Sequence, residues 1–178
     1  MDGLDGVWGV IGVSIGGVVV GLSLLVWQWF AWWPGKDAFL RDPLGSLGEL
    51  APFVLGWAYG ALGTLTVMGL IGMAFDVALW ASNWLGDAAG WALVGAPVGV
   101  TAAGAPVQLT ALGTWMVVLY TVGAVAAIRF RKGISGHLKR GVWSGCCLGT
   151  SSTFAGLAAA PLAHATNWLG DHTIGAVT

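Results

Sequence analysis

The sequence predicts an all-α integral membrane protein with four transmembrane helices and with both termini on the outer side. Three observations predict this fold class. Only 8% of the 178 residues are charged and 57% are hydrophobic, with a mean hydropathy of +0.81, whereas about 25% of residues are charged in soluble domains. Four runs reach the roughly 20 apolar residues that a spanning helix needs. All Lys and Arg residues lie in two short windows between those runs.

The four apolar runs are the predicted spans of a single domain covering residues 1–178. The first run does not resemble a signal peptide, because it is too long and because Asp2 and Asp5 stand where a basic leader is expected. The second run is interrupted only by Asp76. The spans are predicted at about residues 7–33, 51–81, 107–128 and 141–165, with inner loops at 34–50 and 129–140 and an outer loop at 82–106.

The basic residues predict the orientation. They lie in windows 36–41 and 129–140, and loops beside membrane spans keep Lys and Arg on the cytoplasmic side. The composition, rich in Ala, Gly, Val and Trp, suggests a bacterial source, so the expected location is the bacterial cytoplasmic membrane. Tryptophan favours both membrane interfaces, and the predicted interface anchors are Trp8, Trp33, Trp57, Trp84, Trp143 and Trp168.

A pentapeptide occurs twice with identical letters. Asn83–Asp87 and Asn167–Asp171 both read NWLGD, and both follow the predicted outer end of an even-numbered span. The simplest interpretation is a duplicated two-span hairpin, whose halves share one orientation and are related by an axis along the membrane normal. For the role of the repeat, the plainer interpretation is a helix C-cap used twice, in which Gly ends the helix and Trp anchors it. The alternative is a ligand site shared by the two copies. We name this pentapeptide the NWLGD repeat.

Glycines at four-residue spacing predict where the helices pack. Small residues let helix backbones approach closely in lipid, where no hydrophobic force drives association. Ridges of this kind in three spans leave room for one to face another subunit, so the protein is expected to bind copies of itself or other membrane proteins. The predicted packing residues are Gly12, Gly16, Gly21, Gly56, Gly60, Gly141, Gly145 and Gly149.

Two groups of ionisable residues are candidates for chemistry. Asp76 is the only acidic residue inside an apolar run, which suggests a proton or cation site. The alternative is that Asp76 ends its span at the outer interface. His164, Asp171 and His172 are close in sequence near the predicted outer side, and Asp87 joins them through the repeat. Such a set suits a divalent metal. The adjacent Cys146 and Cys147 exclude a disulfide framework.

The uncharged outer segment 88–106 contains Trp91 and Leu93, and an apolar segment of this kind needs cover. It is expected to lie on the membrane surface, to fold back among the helices, or to be covered by a partner. The sequence therefore predicts a non-enzymatic subunit of an oligomer or of a multiprotein membrane complex, of the kind found in bacterial transfer, secretion or phage modules. The alternatives are a small oligomeric channel or transporter that uses Asp76, and an accessory subunit of a respiratory or photosynthetic complex. We expect bound membrane lipids, no other cofactor and no nucleic acid.

Overall fold

A computed structural model describes residues 13–33, 36–66, 69–95, 109–130, 132–149 and 154–175. These residues are almost entirely helical. The predicted residues Trp8 and Gly12 lie outside the described part of the chain, as does most of the outer segment after Gly95. The helices are α1 (Ile15–Trp32), α2 (Lys36–Arg41), α3 (Pro43–Thr64), α4 (Gly69–Val94), α5 (Ala111–Phe130), α6 (Ser135–Gly149) and α7 (Phe154–Thr173), with a short 3₁₀ turn at Lys132–Ile134.

Two of these helices, α1 and α5, are each long and apolar enough to cross a membrane. A third candidate span is the pair α3 and α4, which passes the same test only when taken together and is bent by 104°. The all-helical class with candidate membrane spans is therefore confirmed. The second and fourth predicted runs are each divided into two helices, because α3 ends at Thr64 and α6 ends at Gly149.

The second run is divided where α3 ends. The Thr64 hydroxyl donates to the Ala61 carbonyl at 2.8 Å, and the Thr66 hydroxyl donates to the Gly63 carbonyl. These side chains satisfy carbonyls that the next helical turn would otherwise use. The backbone N–H of Leu65 donates to Leu62 in a tight turn at 3.1 Å. Gly69, where α4 begins, has a φ of +92° that a side chain would disfavour.

The predicted loops are more helical than the sequence suggests. The outer loop predicted at 82–106 begins inside α4, which continues to Val94, and the inner loop predicted at 34–50 contains α2 and the first turns of α3. Asp42 accepts the backbone N–H of Gly45 at 2.9 Å and so caps α3. Pro43 follows at the first helical position, where its missing N–H costs nothing.

The centre of the bundle is the crossing of α3 and α6. A Cβ placed on Gly56 or Gly60 would overlap the carbonyl oxygen of Leu138 or Val142. A Cβ on Gly141 or Gly145 would overlap the carbonyl of Phe53 or Trp57. The contacts advance in the same direction along both helices, so α3 and α6 run parallel. Their backbones touch because these four positions carry no side chain.

The two basic windows lie at the same end of this bundle. Glu49 and Pro52, which follow the first window, line one cleft with Ile134 and His137, which belong to the second window. The two NWLGD copies lie at the opposite end, against the first turns of α1 and α5. The charge asymmetry predicted from the sequence is thus a physical asymmetry between the ends of the bundle, which we call the basic end and the repeat end.

Candidate functional site between α3 and α5

The two NWLGD copies make equivalent contacts. The Asn83 side-chain oxygen accepts the backbone N–H of Ser14 at 3.0 Å, and the Asn167 oxygen accepts that of Thr110 at 2.9 Å. In turn the Ser14 hydroxyl caps α1 by accepting from Gly17 at 3.0 Å. The Thr110 hydroxyl accepts from Gly113 at 3.1 Å in the same way. The copy in α4 therefore holds the N-terminus of α1, and the copy in α7 holds the N-terminus of α5.

The glycines of the repeat pack against those same helices. A Cβ on Gly86 would lie 2.6 Å from the Gly16 Cα, and a Cβ on Gly170 would lie 2.7 Å from the Leu112 carbonyl carbon. Both copies lie inside helices, α4 and α7, and neither copy ends one. The interpretation of the repeat as a helix C-cap is therefore wrong. Its Asn and Gly are packing and hydrogen-bonding residues.

These contacts define a register between the two halves of the chain. Ser14 and Gly17 of α1 correspond to Thr110 and Gly113 of α5. Continuing along the helices, Gly21 corresponds to Val117 and Gln28 to Ala124. The central crossing relates α3 to α6 in the same way, with Gly56 matching Gly141 and Gly60 matching Gly145. By that register, the residues of α3 that correspond to His137, Arg140 and Ser144 are Pro52, Leu55 and Tyr59.

The first half closes the seam between α1 and α6. A Cβ on Gly21 would lie 2.7 Å from the Cys147 Cβ, and the Ser144 hydroxyl donates to the Gly21 carbonyl at 3.0 Å. Nearer the basic end the side chain of Gln28 is 1% exposed. Its amide nitrogen lies 2.8 Å from His137 Nδ1, and its oxygen lies 3.5 Å from an Arg140 nitrogen. A small residue and a polar network thus hold this seam together.

The equivalent seam in the second half, between α3 and α5, is open. Val117 stands where the first half has Gly21, and it packs on Ala61 and Leu62. Tyr59, in place of Ser144, reaches Thr121 with an oxygen-to-oxygen distance of 2.8 Å. Towards the basic end, Ala124 stands where Gln28 would be. Val117 and Tyr59 are larger than their counterparts and hold α3 and α5 apart. Ala124 is smaller than its counterpart Gln28 and leaves the space between α3 and α5 unfilled.

The result is an apolar groove of about 510 Å³, within the usual size range of ligand pockets, about 300–1,000 Å³. The Tyr120 hydroxyl bounds it towards the repeat end, since it donates across the seam to the Leu55 carbonyl at 2.9 Å. We call this space the α3–α5 groove. Its walls are Gly48, Ala51, Pro52, Leu55, Leu119, Tyr120, Gly123, Ala124, Ala127, Ile134 and Leu138.

A second cleft of about 520 Å³ adjoins the groove at the basic end. The two spaces share Gly48, Pro52 and Ile134 as walls. Unlike the groove, this cleft is lined by ionisable side chains, those of Glu49 and His137. We call it the polar cleft. An apolar space and a polar space therefore meet at the end of the bundle where the Lys and Arg windows lie.

The predicted metal residues are not brought together. In the described part of the chain, no three His, Cys, Asp or Glu side chains are placed to share a metal ion. The ring of His172 stacks on its helical neighbour Trp168, with centroids 4.3 Å apart, and its Nδ1 lies 2.9 Å from the Trp168 carbonyl. Asp87 has one carboxylate oxygen buried without a hydrogen-bond partner among the described residues. The structure does not group this set, which also included His164 and Asp171, so the metal site stays a prediction.

Asp76 lies in α4 beside Phe75, and its side chain is half-buried. Phe75 packs over Gly63 at the end of α3, since a Cβ on Gly63 would overlap the phenyl ring. Phe75, and not Asp76, is the buried residue that faces this helix end. The carboxylate of Asp76 is therefore beside the junction of α3 and α4 and is not part of its packed centre.

The predicted packing glycines and anchors occupy varied positions. The Gly149 backbone lies against Ala61, which continues the central crossing. Trp33, Trp84, Trp143 and Trp168 are exposed on the outside of the bundle, as membrane anchors would be. Trp57 differs, because its backbone lies in the central crossing and its indole N–H is buried without a hydrogen-bond partner in the described structure. Trp57 is thus not placed as an interface anchor.

Gln28 and the two capping hydroxyls, of Ser14 and Thr110, were not among the functional residues predicted from the sequence. Gln28 had a visible signal, because it is the only amide side chain within the first apolar run, and a buried amide requires partners. The hydroxyls had none, since Ser and Thr are common in such helices. Comparison with protein families, with characterised proteins and with solved structures shows no match to this chain.

Proposed function

We propose that this chain is a non-enzymatic, four-span membrane protein that works as a subunit of an oligomer or of a multiprotein membrane complex. In this proposal α1, α3 with α4, α5, and α6 with α7 are the four spans, arranged as two duplicated hairpins. The basic end faces the cytoplasm, because Lys and Arg are retained there. The repeat end, with both termini, is then on the outer side.

The observation that carries the proposal is the uncovered end of α4. This helix continues to Val94, well past Asn83, whereas α7 ends at Thr173, soon after Asn167. The extension carries Trp91 and Leu93, which are 70% and 86% exposed. It does not fold back among the helices. Exposed apolar surface of this kind at the edge of a membrane protein marks a contact with another protein or with the membrane surface.

Trp80 and Trp84 continue this surface along α4. Both are exposed, and the spacing of Trp80, Trp84 and Trp91 places them on one side of the helix. Trp91 is eleven positions after Trp80, so the row extends about 16 Å along the helix. A row of indoles of this length favours a partner helix or loop, because an interface belt holds tryptophans at one depth.

The packing around the helix breaks also favours an assembly role over transport. At the end of α3 the side chains of Thr64 and Thr66 donate to backbone carbonyls, which makes those carbonyls less available to an ion. The space beside that end is filled by an apolar cluster that includes Leu65, Val117 and Ala163. The polar side chains at this helix end are therefore used for internal hydrogen bonds.

Site-specific photocrosslinking tests the proposal. A photoreactive phenylalanine analogue in place of Trp91 is expected to form a protein adduct in membranes, and the purified protein is expected to be larger than a monomer in mild detergent. The matched control is the same analogue in place of Phe30, which is 76% exposed near the basic end of α1 and should label lipid. A monomer that gives only lipid adducts at both positions would contradict the assembly role.

A channel or transporter that uses Asp76 is the second candidate, and one observation favours it. Gly21 lies against Cys147, near the end of α6, while Ser14 lies against Asn83. Gly21 is seven positions after Ser14, which corresponds to about 10 Å of helix, so α6 ends well inside the bundle. Broken helices of this kind form ion sites in transporters. Ion flux in proteoliposomes that is lost in Asp76→Asn would support this candidate, and unchanged flux would remove its main residue. The third possibility, an accessory subunit that binds pigment, predicts visible absorption by the purified protein.

A further inference from the structure

We infer that the α3–α5 groove holds one acyl chain of a membrane phospholipid, with the phosphate headgroup in the polar cleft. This site is distinct from the α4 surface on which the proposed assembly function rests, because it lies at the basic end of the bundle. Unlike a general coating by lipid, the site lies in one seam and holds one lipid in one orientation.

The groove lies at a position that side chains fill in the corresponding seam of the first half. The seam between α1 and α6 is closed by Gln28, whose amide is held by His137 and Arg140. The corresponding residue of α5 is Ala124, and Pro52 and Leu55 stand opposite it in α3. None of these three side chains supplies a polar group, so no described residue takes the place that Gln28 fills in the other seam.

The walls of the groove are apolar. The groove is lined by aliphatic side chains and glycines, and its one side-chain hydroxyl, that of Tyr120, is already donated to Leu55. Water is not stable in an apolar space that offers it no hydrogen-bond partners. An occupant of the groove must therefore be hydrocarbon.

The length of the groove distinguishes a lipid chain from a partner helix as its occupant. Tyr120 and Tyr59 tie α5 to α3 and close the groove towards the repeat end. From Tyr120 to Ala127 the groove follows about 10 Å of α5, whereas a spanning helix needs a seam of about 30 Å. A straight helix would collide with the tyrosines. A flexible acyl chain can enter from the basic end and stop at them.

The polar cleft lies at the open end of the groove. It is lined by the imidazole of His137 and the carboxylate of Glu49, and His137 Nδ1 lies 2.8 Å from the Gln28 amide nitrogen. An imidazole and a carboxylate suit the phosphate and ammonium of phosphatidylethanolamine. The Lys and Arg windows at this end of the bundle also favour lipid phosphate.

The test uses the full-length protein in nanodiscs that contain phosphatidylethanolamine with a diazirine in one acyl chain. After illumination, label is expected on the groove residues of α5 and α3, Leu119 to Ala127 and Ala51 to Leu55. Ala124→Leu fills the groove and should lower this labelling about tenfold or more, which corresponds to about 1.4 kcal/mol of binding free energy. The matched control, Val125→Leu, changes a residue on the exposed side of α5 and should leave labelling within about twofold.

A second variant protects the test against misfolding. If Ala124→Leu is not monodisperse, Ala51→Leu fills the groove from the α3 wall and should have the same effect. Equal labelling of the groove and of the exposed side at Val122 would overturn the inference, as would unchanged labelling in a folded groove variant. A crosslink between two copies of the chain at Ala124 would also overturn it, because the groove would then be a subunit interface. None of these outcomes depends on whether Trp91 contacts a partner protein.

Discussion

The central crossing of α3 and α6 gives the sharpest prediction about stability. Gly60→Ala adds one methyl group where the structure has no room, since the new Cβ would overlap the Val142 carbonyl oxygen and lie 2.9 Å from the Cys146 backbone nitrogen. Ordinary contact begins at 3.4 Å, so the two helices must separate. Gly48→Ala is the matched control on the same helix, because a Cβ there would meet nothing within 4 Å.

The expected effects of the two substitutions have opposite signs. Overpacking a close interface costs about 1–3 kcal/mol, and a gap of about 0.5–1 Å along the crossing forfeits a quarter to a half of its dispersion energy. Against this, Ala in place of Gly gains about 0.4–1 kcal/mol where it causes no strain. We therefore expect Gly60→Ala to lower the free energy of unfolding by about 1–2 kcal/mol, and Gly48→Ala to raise it by a few tenths to about 1 kcal/mol.

Reversible unfolding in mixed micelles, followed by tryptophan fluorescence, measures both values. Gly145→Ala is the symmetric test, since its Cβ would overlap the Trp57 carbonyl. The double variant should cost less than the sum of the single ones, because separating the helices once relieves both overlaps. If Gly60→Ala and Gly48→Ala stabilise the protein equally, the helices do not touch at Gly60 and the reasoning fails.

Two further predictions follow from the hydrogen bonds. Asn83→Ala and Asn167→Ala should each lower the free energy of unfolding by about 1 kcal/mol and increase hydrogen exchange in the first turn of the helix that each one holds, α1 or α5; an effect of only one variant would contradict the equivalence of the two copies. Gln28→Ala should cost more, about 2–4 kcal/mol, because it opens a cavity and leaves His137 and Arg140 without their buried partner, while Gln28→Leu, which keeps the volume, separates the packing loss from the hydrogen-bond loss in the same unfolding assay.

The helical membrane class and the packing positions could be predicted from the sequence because both depend on local patterns. Charge-poor runs indicate spans, and Gly56, Gly60, Gly141 and Gly145 show their spacing directly. The division of the second run could not be predicted in this way. Hydrophobic residues continue through Leu65 and Val67, so hydropathy gives no signal. The helix ends in a tight turn in which the Leu65 N–H donates to the Leu62 carbonyl, which is a choice among backbone conformations that composition does not reveal.

The candidate site was beyond prediction for a different reason. Its existence depends on a register between two halves that share few letters outside the NWLGD repeat. Nothing marks Ala124 as the counterpart of Gln28 until Asn83 and Asn167 have fixed the alignment of α1 with α5. The predicted metal set is likewise not grouped in the described structure. Residues that are close in sequence at a helix end need not have side chains that meet. The Nδ1 atom of His172 lies 2.9 Å from the Trp168 carbonyl of the same helix.

The repeat and the groove are two parts of one design. At the repeat end both halves use the same Asn and Gly contacts, so both long helices are held there in equivalent positions. Differences accumulate along the helices from that common point, first Val117 for Gly21 and then Ala124 for Gln28. A larger residue near the fixed end and a smaller one farther away open a wedge that widens towards the basic end. The groove therefore lies where a lipid of the proposed inner leaflet can enter, and the closed α1–α6 seam is the built-in comparison against which its filling can be measured.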